Sequence, residues 1–139
     1  MKANVKWVGN MTFVSSGDSG HYIVMDSDFE GSPPKANGPT ELLLQSMCGC
    51  TAMDVISILK KMKEPVEKFE INATASRAPE HPKVITDIDM EYVVYGNVKH
   101  ESLEKAIQLS QDKYCNISII LKRGGVKINI SSRIINKII

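Results

Sequence analysis

Short runs of β-favouring residues alternate with turn residues over positions 1–29. VKWV, Gly9-Asn10, MTFV, SSGDSG and HYIVM follow one another, which predicts a β-meander. Residues 26–39, DSDFEGSPPKANGP, are acidic and rich in Gly and Pro, and predict a surface loop that ends where a helix begins. From 39 to 63 the pattern changes to a helical period, with Pro39 at the first position and a basic last turn that complements the helix dipole. Leu43, Met47, Cys50, Asp54 and Ser57 fall on one line of this helix, and Leu44, Cys48, Thr51, Val55, Ile58 and Met62 on the next. More than half of its circumference is apolar, so the helix should be buried centrally or at a subunit interface. Residues 66–77 and 83–96 alternate with period two on either side of APEHP, which predicts a long antiparallel hairpin. Residues 100–113 form an amphipathic helix with Leu103, Ala106, Ile107 and Ser110 on its apolar face, and Cys115 follows near its end. Residues 116–122, NISIILK, fit helix or strand equally, and Gly124-Gly125 introduces a final strand over 126–139.

A chain of 139 residues suits one domain, 1–139, with a single core. An apolar fraction of 42%, a charged fraction of 24% and a net charge of +1 describe a soluble globular protein and speak against nucleic acid as a partner. The N-terminus lacks the apolar core of a signal peptide. No stretch is read as reaching the roughly 20 apolar residues that cross a bilayer, so a cytoplasmic location without membrane attachment is expected.

The three cysteines, Cys48, Cys50 and Cys115, are odd in number and come without an export signal, which argues against a structural disulfide framework. A thiol acts as a nucleophile only as thiolate, and Cys50 lies about three turns into its helix, too deep to gain much from that helix's dipole. From composition alone the three read as small buried hydrophobes. A metal site and a cofactor are not expected, because Cys48 and Cys50 at i and i+2 diverge on a helix and His21, His81 and His100 occur singly.

The segment GPTELLLQSMCGCTAMDVISILKK resembles the central-helix signature of the OsmC and organic-hydroperoxide-resistance family, in which a Pro-Glu-Glu-Leu-like start leads to a cysteine. LEKAIQLSQDKYCNISIILK resembles the later family segment in which a helix runs into a second cysteine, and with EHPKVITDIDMEYVVYG the chain looks closest to the YhfA-like branch. The resemblance runs from VKWVGNMTF through SGHYIVMD to KYCNIS. It implies an α+β OsmC-like fold, with antiparallel sheets around a long buried central helix and two chains intertwined as a homodimer. It also implies that Cys50 is the peroxidatic cysteine, Cys115 the resolving one and Cys48 a bystander. The implied cycle takes a small apolar hydroperoxide to a Cys50 sulfenic acid, then to a Cys50–Cys115 disulfide that a cellular dithiol reduces.

The chain departs from the family pattern at the groups that assist the thiol. No arginine precedes Arg77, so the family's N-terminal arginine is missing, and Lys2, Lys6 and Lys35 are poor substitutes for its planar fork. Thr40 occupies the position of the family glutamate. Glu41 lies one residue later, about 100° around the helix, where it is a supporting candidate or simply first-turn charge for the dipole. Arg77 reads as a solvated residue beside a turn, Tyr114 as a core residue with its hydroxyl satisfied, and His21 as an exposed strand opening. Two functions stay open: a two-cysteine reductase of organic hydroperoxides in oxidative stress defence, and a binding or redox-responsive module that holds a small apolar ligand without peroxidase activity. A purely structural dimer with inert cysteines is a third.

Overall fold

The computed structural model, which describes residues 1–136, folds the first alternating runs into the expected meander. Strands β1 (Ala3–Gly9), β2 (Thr12–Gly17) and β3 (Tyr22–Met25) pair antiparallel in that order. Gly9 and Asn10 make the first turn at positive φ, 118° and 48°, where glycine and asparagine carry the least steric cost. In the loop that follows, Asp26 holds the chain. Its carboxylate accepts from the Thr12 hydroxyl at 3.1 Å and from the Lys35 N–H at 2.7 Å.

The chain forms two compact units, Met1–Leu43 and Leu44–Ile139. Helix α1 (Pro39–Lys61) starts in the first unit and runs mostly in the second. It stops two residues short of its predicted end, because Lys63 turns left-handed at φ 59° and Pro65 cannot continue a helix.

The second unit is built on a sheet in which β5 (Ile85–Tyr95) lies between β4 (Lys68–Arg77) and β6 (Lys127–Ile135). The β4–β5 hairpin is antiparallel as expected, whereas β6 runs parallel to β5, so the expectation of purely antiparallel sheets is corrected here. The cause is the connection between them: two helices, α2 (His100–Leu109) and α3 (Asn116–Arg123), carry the chain back along the sheet, and such a crossover returns the next strand in the same direction. Composition leaves residues 116–122 open between helix and strand; they are helical. Residues 137–139 of the predicted final strand lie outside the described residues.

Period-two alternation on β5 turns Ile88, Met90, Tyr92 and Val94 to the interior, where they meet Met47, Val55 and Leu59 of α1 and Leu103, Ala106 and Ile107 of α2. Complete burial of a side chain such as Leu59 stabilises the fold by about 1.5–3 kcal/mol. Helix α1 buries a single stripe, Met47, Thr51, Val55 and Leu59, while Leu43 and Met53 stay 40% and 72% exposed, so one chain does not cover the whole apolar surface. By length and apolar character α1 also matches a membrane-crossing helix, against the sequence reading that no stretch does. Its buried stripe nevertheless packs into a protein core and carries Thr51 into a cluster of hydroxyl groups, as a core helix does.

One departure from regular helix prepares the site. The periodicity predicts a single helix over 100–113, but regular α geometry ends at Leu109 and a π turn follows over Ser110–Tyr114, closed by the Cys115 N–H on the Ser110 carbonyl at 2.7 Å. The wider turn buries the consecutive side chains of Ser110 and Gln111 together.

Candidate active site

Cys115 is the cap residue of α3. It sits in extended conformation directly before the helix, and its sulfur accepts from the Ser118 N–H at 3.4 Å and the Ser118 hydroxyl at 3.1 Å. Cysteine here does what serine or aspartate does at a helix start: it satisfies a backbone donor that the first turn leaves free. Its side chain is fully buried.

Cys50 reaches the same place from the middle of α1. Its thiol donates to Asn116 Oδ1 at 3.7 Å, one residue beyond Cys115, and it remains partly exposed. Asp54 follows four residues later on the same helix face. The sulfurs of Cys50 and Cys115 and a carboxylate oxygen of Asp54 all lie within 4.8 Å of one another. Burial pushes the Cys50 thiol above its ordinary pKa, with further upward contributions from its hydrogen bond to Cys115 and from the charges of Cys115 and Asp54; the Ile117 N–H works in the opposite direction. Cys48, half-buried against the core, is also raised, first by burial and then by Cys115. Among the described residues no lysine or arginine hydrogen-bonds either sulfur of the pair.

Behind the two cysteines lies a buried chain of polar side chains whose hydrogens can be placed by counting donors. Ser110 donates to Asp54 Oδ2 at 2.9 Å, so its hydroxyl must accept from Thr51 at 2.7 Å. Thr51 has then spent its hydrogen and accepts from the Tyr92 hydroxyl at 2.7 Å. Tyr92 in turn accepts from Gln111 Nε2 at 3.1 Å. The same nitrogen lies 3.1 Å from Ser118 Oγ, which passes its own hydrogen to Cys115. Gln111 Nε2, which also lies 3.2 Å from Thr51 Oγ1, thus stands at the junction of two arms, one ending on the Asp54 carboxylate and the other on the Cys115 sulfur. Lys122 Nζ holds it in place by donating to the Gln111 backbone carbonyl at 2.9 Å. Burial raises the Tyr92 hydroxyl to about 12, against the opposing hydrogen bonds of Thr51 and Gln111, which keeps it a neutral relay at physiological pH.

A thiol beside a second thiol, on a central helix and at the cap of a later one, is the arrangement that the sequence motifs anticipate. Residues 31–131 match the family model described as OsmC-like protein. The chain belongs to the OsmC-like family. It is 38% identical to Protein YhfA of Escherichia coli strain K12 over 125 residues, 89% of this chain and 91% of that protein. Among solved structures this OsmC-like protein is similar to a hypothetical protein of Aquifex aeolicus VF5, with a TM-score of 0.88 and 30% identity over 99% of this chain and 97% of the other. It shares the fold of a Legionella pneumophila organic hydroperoxide resistance protein OsmC, with a TM-score of 0.68 and 15% identity over 95% and 96% of the two chains.

The fold of this OsmC-like protein brings Cys50 and Cys115 together and treats the other sequence candidates differently. Glu41 accepts from the Gly38 N–H at 3.1 Å, a local bond at the start of α1. Arg77 donates from Nε to the Lys83 carbonyl at 2.8 Å and so ties the β4–β5 turn. Tyr114, expected in the core, is 53% exposed with Lys113 Nζ 5.5 Å from its ring centre, because the π turn has already spent its inward positions on Ser110 and Gln111. His21 is exposed and precedes β3.

Asp54, Thr51, Tyr92, Ser110, Gln111 and Ser118 are the site residues that motif reasoning missed. Two carried a signal. Ser110 is the polar residue on the apolar face of its helix, and Asp54 follows Cys50 at the spacing that places both on one face.

Proposed function

We propose that this OsmC-like protein is a thiol-dependent reductase of small apolar organic hydroperoxides, with Cys50 as attacking thiol and Cys115 as resolving thiol. The observation that carries the reading is the separation of the two sulfurs, under 4.8 Å between partners 65 residues apart in sequence. The name of the Legionella pneumophila structural relative, an organic hydroperoxide resistance protein, supports it.

Cys50 releases its proton to solvent, and the thiolate attacks the outer peroxide oxygen. The S–O bond forms as the O–O bond breaks, and the departing alkoxide takes up a proton to leave as alcohol. Cys115 then attacks the sulfenic sulfur of Cys50. The S–S bond forms, the S–O bond breaks, and hydroxide leaves as water with the Cys115 proton. A cellular dithiol returns the disulfide to two thiols and is itself oxidised.

The working form we propose is a cytoplasmic homodimer. Trp7, Tyr22 and Met53 are 67%, 73% and 72% exposed, which leaves apolar surface on the meander and on α1 for a second copy to cover. One observation favours the second reading, a binding or redox-responsive module: the Cys50 thiol is raised, and no cation among the described residues hydrogen-bonds it.

Single-turnover reaction of the reduced protein with an alkyl hydroperoxide, followed by intact mass and thiol count, separates the two. Rapid loss of two thiols as a Cys50–Cys115 disulfide, abolished in Cys50→Ser and halted at the sulfenic acid in Cys115→Ser, is the expected result. Oxidation no faster than that of a free cysteine would sink the peroxidase reading in favour of the module.

A further inference from the structure

The two arms of the Gln111 network end on Cys115 Sγ and the Asp54 carboxylate, which stand within 4.8 Å of each other and of Cys50 Sγ. No lysine or arginine hydrogen-bonds the two sulfurs among the described residues. Three electron-rich ligand atoms thus converge on one point. We propose that, in the reduced protein, Cys50, Asp54 and Cys115 form a binding site for a soft divalent cation, with zinc(II) the ion that the donor set fits.

Two thiolates and a carboxylate are a donor set that zinc accepts readily and that magnesium and calcium, which prefer all-oxygen shells, do not. Zinc–sulfur bonds of about 2.3 Å in tetrahedral geometry place two sulfurs about 3.8 Å apart, so closing the present cluster onto the ion takes a movement of about 1 Å. Cys50 and Asp54 at i and i+4 supply two ligands from one helix face, and Cys115 supplies the third from the start of another helix.

Metal ligands are generally oriented by hydrogen-bond donors behind them, and both ends here have one: Ser118 on Cys115 and Ser110 on Asp54. Cys50 and Asp54 are partly exposed, which gives the ion an entry path and leaves the fourth position for water. Binding releases the thiol protons to solvent and changes no oxidation state. It holds both sulfurs as ligands, so neither is free to attack a peroxide or the other sulfur. The site is therefore independent of the peroxidase reading and, where that reading holds, a switch on it.

The test uses the full chain, reduced and held anaerobically, titrated with zinc(II) against a chromophoric chelator, with native mass spectrometry for stoichiometry. One ion per chain is expected. Affinity should fall at least about tenfold in Cys50→Ser, Cys115→Ser and Asp54→Asn, fall by a similar factor in Ser118→Ala, and be unchanged in Cys48→Ser. Cobalt(II) should give a thiolate charge-transfer band that Cys50→Ser weakens. Should a variant fail to fold, the wild type still decides the matter, because zinc(II) must slow alkylation of Cys50 by iodoacetamide. Absence of a bound ion, an unaltered alkylation rate, or affinity lost in Cys48→Ser and retained in Asp54→Asn would overturn the proposal. No peroxide enters these experiments, so their failure is distinct from failure of the peroxidase reading.

Discussion

The two units of the chain bury their residues in opposite ways. Every fully or nearly fully buried apolar side chain among the described residues lies in Leu44–Ile139, from Met47 to Leu121. In Met1–Leu43 the buried residue is polar: Asp26, which pins a loop. There Trp7, Tyr22, Ile23 and Val24 stand exposed on a three-stranded sheet. The central strand β2 is only partly buried, so this sheet gains less from apolar burial than the second unit does. The apolar core and the Cys50–Cys115 cluster thus lie in the second unit, whereas the first exposes apolar side chains.

The largest effect that would sharpen this contrast is expected from Leu59→Ala. It empties a fully buried site in the second unit and should cost about 2–5 kcal/mol in denaturant unfolding. A loss below 0.5 kcal/mol would show that α1 is not the central pillar of that core.

Ser110→Ala comes next, at about 1–3 kcal/mol, because it leaves Asp54 without its donor and Thr51 without its acceptor inside the core. The same variant should slow Cys50 oxidation in the single-turnover assay, whereas a purely structural serine would leave that rate unchanged in the folded protein.

Acid titration probes the one buried anchor of the first unit. The Lys35 N–H holds the Asp26 carboxyl below its ordinary value of 3.8, with help from Ser27 and Thr12 and against the effect of burial. A depressed carboxyl contributes stability above its unfolded pKa and loses it as pH falls through the folded value. Protection of the loop amides over 26–37, relative to intrinsic exchange at each pH, should therefore fall below about pH 4. In Asp26→Asn that protection should already be low at neutral pH and show no such acid dependence.

The smallest effect on the chain's own unfolding is expected from Tyr22→Ser, within about 0.5 kcal/mol, because the side chain is exposed. Its larger consequence should appear in sedimentation equilibrium as weakened self-association. A variant that unfolds the chain while leaving association untouched would reverse the contrast between the units.

How much of this was legible in the sequence differs by element. The meander, the long α1, the β4–β5 hairpin and the amphipathic α2 all follow from period two or period 3.6, since each is dictated by residues a few positions apart. The pairing of Cys50 with Cys115 was legible only through the family motifs, because nothing in composition distinguishes them from core cysteines. Tyr114 was misplaced because an ideal helical period runs straight through a π turn that closes one residue wider. Residues 116–122 were ambiguous because a short apolar run fits a helix or a buried strand equally; Cys115 capping the Ser118 N–H stands at the helical start that was formed.

Local order, the order of elements along the chain and the identity of the two thiols were determined by the sequence itself, because turn chemistry, periodicity and motif spacing are properties of neighbouring residues. The parallel entry of β6, the two-unit division and the convergence of Asp54, Ser110, Gln111 and Ser118 behind the cysteines were decided by tertiary structure alone. Thr51 and Ser110 are 59 positions apart and meet at 2.7 Å only because α1 and the π turn pack on the same core. A polar side chain becomes part of a site when burial removes water and leaves other side chains as its partners, and that condition exists only once the core has formed.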